Sequence, residues 1–172
     1  MHTDSPGGGT ARKALVSACL LGSACRYDGR DCADPAVRRF LESRGLTPVP
    51  VCPEELGGLG TPRPRAEIRE GDGGAVLAGR GRVFDFEGRD VTGAFIAGAR
   101  AALELALRHR CGLAVLKAGS PSCGSVRISA GDFSGRTRAG SGVTSALLKS
   151  AGIRVVTEED IPEEDILDSF NT

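Results

Sequence analysis

The sequence predicts an α/β fold, a three-layer Rossmann-like arrangement in which a mostly parallel sheet of four to five strands is flanked by helices. Short apolar runs alternate with longer segments of helical periodicity, the pattern typical of such folds. The apolar runs cover residues 14–21, 46–51, 113–117 and 153–157, and the main helical segments cover 34–44, 91–110 and 140–151. The chain has 172 residues with no repeat or linker, so residues 11–172 are predicted to form one domain.

The first strand, the first helix and the second strand form a βαβ unit. Asp34 followed by Pro35 marks the helix start, because the carboxylate serves as N-cap and proline suits the first turn. Gly45 ends the helix. Since a crossover helix connects parallel strands, residues 14–21 and 46–51 are predicted to be parallel neighbours.

The middle of the chain is less regular. Glycine and proline crowd residues 53–65 and exclude a long element there, and a small hairpin is predicted around residues 79–81. The clearest helix covers residues 91–110, and the strand after it runs into the loop of residues 118–125. A short acidic helix is predicted at residues 158–167.

Charge and hydropathy argue against nucleic acid and a membrane as partners. Lys plus Arg and Asp plus Glu each total 22, so the net charge is zero and favours neither nucleic acid nor an anionic membrane as partner. No apolar run approaches the roughly 18 residues of a membrane span. Residues 1–10 are polar and glycine-rich without a secretion signal, and they are interpreted as a disordered leader. We expect a cytoplasmic protein, either a monomer or a homodimer.

Three of the six cysteines follow predicted strands. Cys19 lies near the end of the first strand, Cys52 directly follows the second, and Cys123 lies in the loop after the third. Because neighbouring parallel strands are roughly 4.8 Å apart and ligands collect at their carboxyl ends, the three thiols are predicted to share one pocket. The other three are assigned to packing; they are Cys25, Cys32 and Cys111, of which Cys25 is the nearest in sequence to a member of the trio.

Three thiolates in one pocket repel each other and need a cation or a cluster to balance their charge. Zinc could accept them with water as fourth ligand. A cubane iron–sulfur cluster could also accept them, which would leave one iron without a protein ligand and able to bind a soft atom such as sulfur. Residue types and spacing do not choose between these metals.

Several motifs, taken in order, resemble the thiouracil desulfidase family over about residues 13–160. Individually they are weak, but their combination is specific. The motifs are Ser17-Ala-Cys-Leu-Leu-Gly22, Cys25-Arg-Tyr-Asp-Gly29, Cys52-Pro-Glu-Glu-Leu-Gly-Gly-Leu59, Thr61-Pro-Arg63, Ala66-Glu67, Asp90-Val-Thr92, Leu116-Lys117, Ser120-Pro-Ser-Cys-Gly-Ser125 and Gly140-Ser-Gly-Val-Thr144. Two departures are Ala118-Gly119, where the family more often has a larger or polar residue, and Arg65, where proline is frequent.

The resemblance implies a [4Fe-4S] cluster with three cysteine ligands and one open iron. The ligands map to Cys19, Cys52 and Cys123, the acid–base residue to Glu54 and an assisting serine to Ser120. In the family the open iron takes the sulfur of 2-thiouracil in a non-redox reaction that yields uracil. The implied partner is therefore a small thiolated nucleobase.

The polar residues near these cysteines fit that chemistry. Replacing sulfur by water requires a carboxylate that accepts and returns a proton, and Glu54 is two residues beyond Cys52. Ser122, Arg63 and Lys117 are candidate substrate contacts. Each also has a structural alternative, namely loop capping for Ser122, an ion pair for Arg63 and solvent exposure for Lys117.

Two other functions use the same thiols. One is a zinc-dependent hydrolase, and the other is an iron–sulfur protein that binds a cluster or senses redox state without turnover. Glu54 and Ser120 distinguish the desulfidase from the sensor, because a sensor has no need of an acid–base group beside its cluster.

Overall fold

The computed structural model describes residues 11–162, within which the chain forms eight short strands, five α-helices and two short 3-10 helices. The strands are β1 (Lys13–Ser17), β2 (Thr47–Val51), β3 (Ala66–Ile68), β4 (Val83–Asp85), β5 (Leu113–Leu116), β6 (Arg127–Ser129), β7 (Thr137–Ala139) and β8 (Arg154–Thr157). The helices are α1 (Pro35–Ser43), α2 (Pro53–Leu56), α3 (Gly73–Leu77), α4 (Thr92–Arg108) and α5 (Val143–Ser150). The predicted leader, residues 1–10, lies outside the described residues.

The main sheet has four parallel strands in the order β2-β1-β5-β8. Strand β1 pairs with β2 on one side and with β5 on the other, and β8 pairs with β5. The predicted fold class, an α/β fold with a mostly parallel sheet of four to five strands, is therefore confirmed. The central position of β1 and β5 agrees with their apolar sequences, since a central parallel strand is covered on both faces.

Helices cover both faces of the sheet and complete the three layers. On one face, α1 packs Val37, Phe40 and Leu41 against Ala14 and Val16 of β1. On the other face, α4 and α5 pack against alternate residues of the same strands; this cluster includes Leu15, Ala102, Ala106, Ala114, Leu116 and Leu148. The N-cap predicted for α1 is confirmed, because the Asp34 carboxylate accepts a hydrogen bond from the Ala36 N–H at 2.9 Å.

The first apolar run, residues 14–21, does not form the single strand that the sequence predicts. The strand ends at Ser17, and Ala18–Leu21 form a 3-10 helix that Gly22 ends in a left-handed conformation with φ 99°. Both halves of the run are apolar because both face the core, and Cys19 and Leu20 are buried in the turn. Apolar content alone does not distinguish a buried strand from a buried turn.

The hairpin predicted around residues 79–81 is wrong in position. The antiparallel pair consists of β3 and β4, and α3 lies in the connection between them. The Asp72 carboxylate begins α3 by accepting hydrogen bonds from the Gly74 and Ala75 N–H groups. A second antiparallel pair, β6 with β7, was not predicted because its strands are only three residues long.

The acidic segment predicted as a helix over residues 158–167 is described only in part. Glu158–Asp160 form a single 3-10 turn, which Thr157 caps by accepting from the Glu159 N–H. The remainder beyond residue 162 lies outside the described residues. In the part of the chain that the structure covers, no helix is long and apolar enough to cross a membrane.

Candidate active site

A cavity of about 310 Å³ opens at the carboxyl ends of β1, β2 and β5. The predicted cysteine trio, Cys19, Cys52 and Cys123, lines it together with a fourth cysteine, Cys25. Its volume is at the low end of small-molecule sites, which span about 300 to 1,000 Å³. The other lining residues that matter for its chemistry are Ser17, Glu54, Arg63, Glu67, Lys117 and Ser120.

Cys19 and Cys52 reach the cavity from two neighbouring strand ends. The 3-10 helix after β1 carries Cys19, and Cys52 is the residue between β2 and α2. The backbone N–H of Glu55, in the first turn of α2, donates a hydrogen bond to the Cys52 thiol. The parallel register of β1 and β2 pairs Ser17 with Val51, so the two cysteines leave the sheet at the same edge.

Cys123 reaches the cavity on a tightly bonded loop after β5. The Ser120 hydroxyl accepts hydrogen bonds from the N–H groups of Ser122 and Cys123, both at 3.1 Å. Ser145 of α5 donates to the Cys123 carbonyl at 2.7 Å. A Cβ on Gly124 would lie 2.4 Å from the Arg127 carbonyl oxygen, so only glycine fits this turn. These contacts hold the Cys123 thiol in a defined position.

Cys25, which the sequence assigned to packing, lies among the thiols of the cavity. The Cys52 thiol donates a hydrogen bond to the Cys25 carbonyl at 3.7 Å. The ligand atoms of Cys25, Cys52 and Glu55 all lie within 4.8 Å of one another. The sequence signal for this position was the closeness of Cys25 to Cys19, because the loop after β1 returns Cys25 to the cavity.

Cys25, Cys52 and Cys123 have thiols that are difficult to ionise when no cation is present. Burial raises the pKa of Cys123 to about 12, against hydrogen bonds from Ser17 and Ser122. The hydrogen bond with Cys19 raises the pKa of Cys25 to about 11. The hydrogen bond with Cys25, together with burial, raises the pKa of Cys52 well above its usual range. Because a cation or cluster is what stabilises such thiolates, this donor set fits a soft-metal group.

The spacing of the trio indicates the kind of group that it fits. Among the described residues, Cys25, Cys52 and Glu55 are the set whose ligand atoms are all within 4.8 Å of one another; the trio is not such a set. A single zinc ion needs thiolates about 3.8 Å apart, because each Zn–S bond is about 2.3 Å. A cubane binds each thiolate at a different iron, so more widely spaced thiols suit it better.

Glu54 and Arg63 form an ion pair in the wall of the cavity. The Arg63 guanidinium donates to the Glu54 carboxylate at 3.2 Å, and the two side chains are only 6% and 18% exposed, respectively. The same guanidinium donates to the Cys25 carbonyl at 3.0 Å. Burial raises the pKa of Glu54, and Arg63 opposes that shift. The structure thus brings together Glu54, Arg63 and the loop of Cys25.

Lys117 and Ser122 differ in how they stand relative to the cavity. The Lys117 ammonium lines the cavity and pairs with Glu158 at 2.5 Å, a partner that the sequence did not reveal. The Ser122 hydroxyl is buried behind the wall, where it is bonded to the Thr144 hydroxyl at 3.0 Å. Substrate contact by Ser122 stays a prediction, but this position favours the structural alternative, which is loop capping.

Arg65, one of the two departures from the family pattern, lies at the rim. Its guanidinium stands 5.4 and 5.5 Å from the ring centres of Phe86 and Phe133, and it donates to the Phe133 carbonyl. The two rings meet edge to face at 5.4 Å. This contact joins the β3–β4 hairpin to the loop between β6 and β7, so both antiparallel pairs form one side of the cavity mouth.

Comparisons with known proteins agree with this geometry. The family model described as 2-thiouracil desulfurase matches residues 14–160. An uncharacterized protein, YbbK of Bacillus subtilis (strain 168), is 44% identical over 147 residues, which are 86% of this chain and 96% of that protein. The solved structure of the [4Fe-4S]-dependent thiouracil desulfidase TudS is 42% identical with a TM-score of 0.74, covering 92% of this chain and 99% of that one.

The extent of these matches is decisive for the family. The family model covers the segments after β1, β2 and β5 that carry the cysteines, Glu54 and Ser120 to the cavity. The resemblance inferred from the motifs is confirmed, as is the prediction of a desulfidase enzyme. This chain belongs to the 2-thiouracil desulfurase family.

Proposed function

We propose that this enzyme removes sulfur from 2-thiouracil or a related thiolated nucleobase, and that it uses a [4Fe-4S] cluster bound by Cys19, Cys52 and Cys123. The observation that carries the proposal is the convergence of these three thiols with the partly buried Glu54–Arg63 pair in one cavity of about 310 Å³. A cavity of this size suits a single base better than a long polymer. The solved relative TudS is described as a [4Fe-4S]-dependent thiouracil desulfidase.

The donor set supports the cluster. Three thiols at separate strand ends, two of them buried and one partly buried, provide soft ligands with a spacing wider than one ion requires. When bound, the cluster supplies an iron without a protein ligand, a Lewis acid that accepts sulfur. The free thiols also favour a reducing compartment, and the cytoplasm is the location that we propose.

Glu54 is the proposed acid–base group. The net reaction converts a thiocarbonyl and water into a carbonyl and hydrogen sulfide, so no electrons are exchanged but protons must move from oxygen to sulfur. A carboxylate with a raised pKa can accept a proton from the attacking water and return it to the departing sulfur. Arg63 holds the carboxylate in one orientation within the wall.

Ser120 is proposed to orient the substrate or the attacking water. Its oxygen already accepts two backbone N–H groups, so its own O–H remains available to donate. Lys117 lines the same cavity and carries a positive charge held by Glu158, which suits contact with a carbonyl oxygen of the base. Both residues belong to the loop that also positions Cys123.

The test is anaerobic reconstitution with iron and sulfide, followed by incubation with 2-thiouracil and with 4-thiouracil. The proposal expects a brown protein with about four irons per chain, loss of the thiocarbonyl absorption and release of sulfide, each only when the cluster is present. A protein that binds the cluster fully but leaves both thiouracils unchanged would contradict the activity. A colourless protein with stoichiometric zinc on the trio would contradict the cofactor.

A further inference from the structure

We propose that Cys25, Cys52 and Glu55 form a second metal site, which binds a thiophilic divalent cation of the zinc type in the protein that lacks its cluster. This site is distinct from the cluster trio, since it replaces Cys19 and Cys123 by Cys25 and Glu55. Its ligand atoms lie within 4.8 Å of one another, and no other set of His, Cys, Asp and Glu among residues 11–162 meets that condition.

The distances and ligand types suit zinc. Tetrahedral zinc holds sulfur and oxygen ligands about 3.3 to 3.8 Å apart, because its bonds to them are about 2.3 and 2.1 Å. Rotation of the exposed Glu55 side chain and small movements of the two thiols close the remaining gap. Two thiolates and one carboxylate form a protein ligand set that leaves the fourth position to water. Binding releases the two thiol protons to solvent.

The surrounding structure keeps the two sulfurs together without any metal. The Cys25 and Cys52 sulfurs lie within 4.8 Å of each other, and the Cys52 thiol approaches the Cys25 carbonyl at 3.7 Å. Arg63 holds the same Cys25 carbonyl at 3.0 Å, and the Ser23 carbonyl accepts from the Cys25 N–H at 2.9 Å. A site whose ligands are already adjacent loses little conformational freedom when the ion binds.

Cys52 belongs to both sites, so zinc and the cluster exclude each other. One thiolate cannot serve the zinc site and remain the terminal ligand of an iron in its cluster position. Zinc bound in this way would fix the positions of Cys25 and Cys52 in the chain that lacks its cluster, and it would delay cluster assembly until the ion is removed. This exclusion rests on the proposed function, whereas the metal site itself does not.

The test uses the full-length chain, freed of iron with chelator and reductant under anaerobic conditions. Co²⁺ is titrated as a coloured probe, and Zn²⁺ then competes for the same site. We expect one Co²⁺ per chain with thiolate-to-cobalt charge transfer and tetrahedral visible bands. Cys25→Ala should weaken binding at least about 100-fold and Glu55→Gln about 10-fold, since losing even an outer partner of a metal costs about 10- to 100-fold.

Cys123→Ala is the matched control, because Cys123 belongs to the cluster trio but not to this site. It should bind Co²⁺ with the affinity and spectrum of the parent chain. Unchanged Co²⁺ binding by folded Cys25→Ala would overturn the proposal, as would loss of binding in Cys123→Ala. Circular dichroism verifies folding, and Cys25→Ser replaces Cys25→Ala if the alanine variant is unfolded.

A second arm separates this proposal from the proposed function. One equivalent of Zn²⁺ added before reconstitution should prevent the brown colour in the parent chain and should not prevent it in Cys25→Ala. Equal colour in the parent chain with and without bound Zn²⁺ would contradict the exclusion. If no variant becomes brown even without zinc, the cluster is contradicted while the Co²⁺ titration still decides the metal site.

Discussion

The two ends of the main sheet each hold a cavity, and their linings differ in chemistry. The cavity at the carboxyl ends has about 310 Å³ and is lined by four cysteines and the Glu54–Arg63 pair. The cavity at the amino ends is larger, about 500 Å³, and of the described residues that line it none is a cysteine. Its basic residues are Arg12, Lys13, Arg44, Arg110 and Arg154.

The difference shows that chemistry rather than size identifies the site. The two cysteines that flank strand β5 illustrate this difference. Cys111 precedes the strand and Cys123 lies in the loop after it, and both are buried. Burial raises the pKa of Cys111 at the amino end, where Lys13 opposes the shift, and that of Cys123 at the carboxyl end. Cys123 shares its cavity with other thiols and the Glu54–Arg63 ion pair, whereas Cys111 packs in the apolar cluster between the sheet and α4.

The largest expected effect is the difference between two single variants, Cys123→Ala and Cys111→Ala. Cys123→Ala should abolish stable cluster binding, because it removes one of the three proposed ligands, and the remaining thiol of the cavity, Cys25, lies beside Cys52 and not on the loop after β5. Cys111→Ala should keep the full cluster and lose only about 1 kcal/mol of unfolding free energy through poorer packing. Iron content and visible absorption after anaerobic reconstitution measure the first effect, and urea unfolding measures the second. Equal iron loading of both variants would contradict the ligand assignment.

Glu54→Gln should be the next largest effect. The amide keeps the size of the side chain but cannot accept a proton, so turnover of thiouracil should fall about 100- to 10,000-fold while the brown colour remains. Steady-state release of sulfide measures the loss. The control is Glu104→Gln, since Glu104 is 73% exposed on α4 and pairs only with Arg108 in the described contacts. Normal turnover in Glu54→Gln would remove Glu54 from the mechanism.

Arg63→Ala should slow turnover less than Glu54→Gln does. The variant keeps the Glu54 carboxylate but removes the guanidinium that orients it and that binds the Cys25 carbonyl. Because the carboxylate is then free to move from its position, we expect the rate to fall about 100-fold. Arg63→Lys keeps the positive charge but not the planar set of N–H donors of the guanidinium, and it should recover part of the rate. The measurement is kcat at full cluster loading; a pure rise in KM would instead favour the predicted substrate contact.

Ser120→Ala should act on the loop as well as on turnover. Two backbone N–H groups lose their acceptor, so the unfolding free energy of the cluster-free chain should fall by about 1 to 2 kcal/mol. Urea unfolding under reducing conditions provides this value. Ser122→Ala, which removes the bond to Thr144, is the comparison and should alter stability without altering turnover of the loaded enzyme beyond about twofold.

The smallest effect is expected at the amino end of the sheet. Arg154→Gln removes one positive charge from the larger cavity and should change thiouracil turnover less than about twofold, because that cavity lies at the opposite end of the strands from the thiols. Sulfide release at equal cluster loading is the readout. A loss of tenfold or more would show that the two ends of the sheet are coupled.

The sequence predicted the positions of three cysteines correctly, because strand ends decide those positions. Cys19, Cys52 and Cys123 line one cavity because β2, β1 and β5 are adjacent and parallel, which the alternation of apolar runs and helices already indicated. The prediction failed for elements too short to show a period, namely α2, α3 and the β6–β7 pair. In such segments, turn residues and long-range contacts decide the conformation.

The sequence by itself determined the fold class, the edge of the sheet where the chemistry lies and, through its motifs, the family. Only the tertiary structure decided which polar groups meet there. Cys25 lies beside Cys52 although 26 residues separate them in sequence, Arg63 holds Glu54, and Glu158 pairs with Lys117. The physical reason is that periodicity records which face of an element is buried, whereas the position of a loop side chain depends on hydrogen bonds to distant parts of the chain.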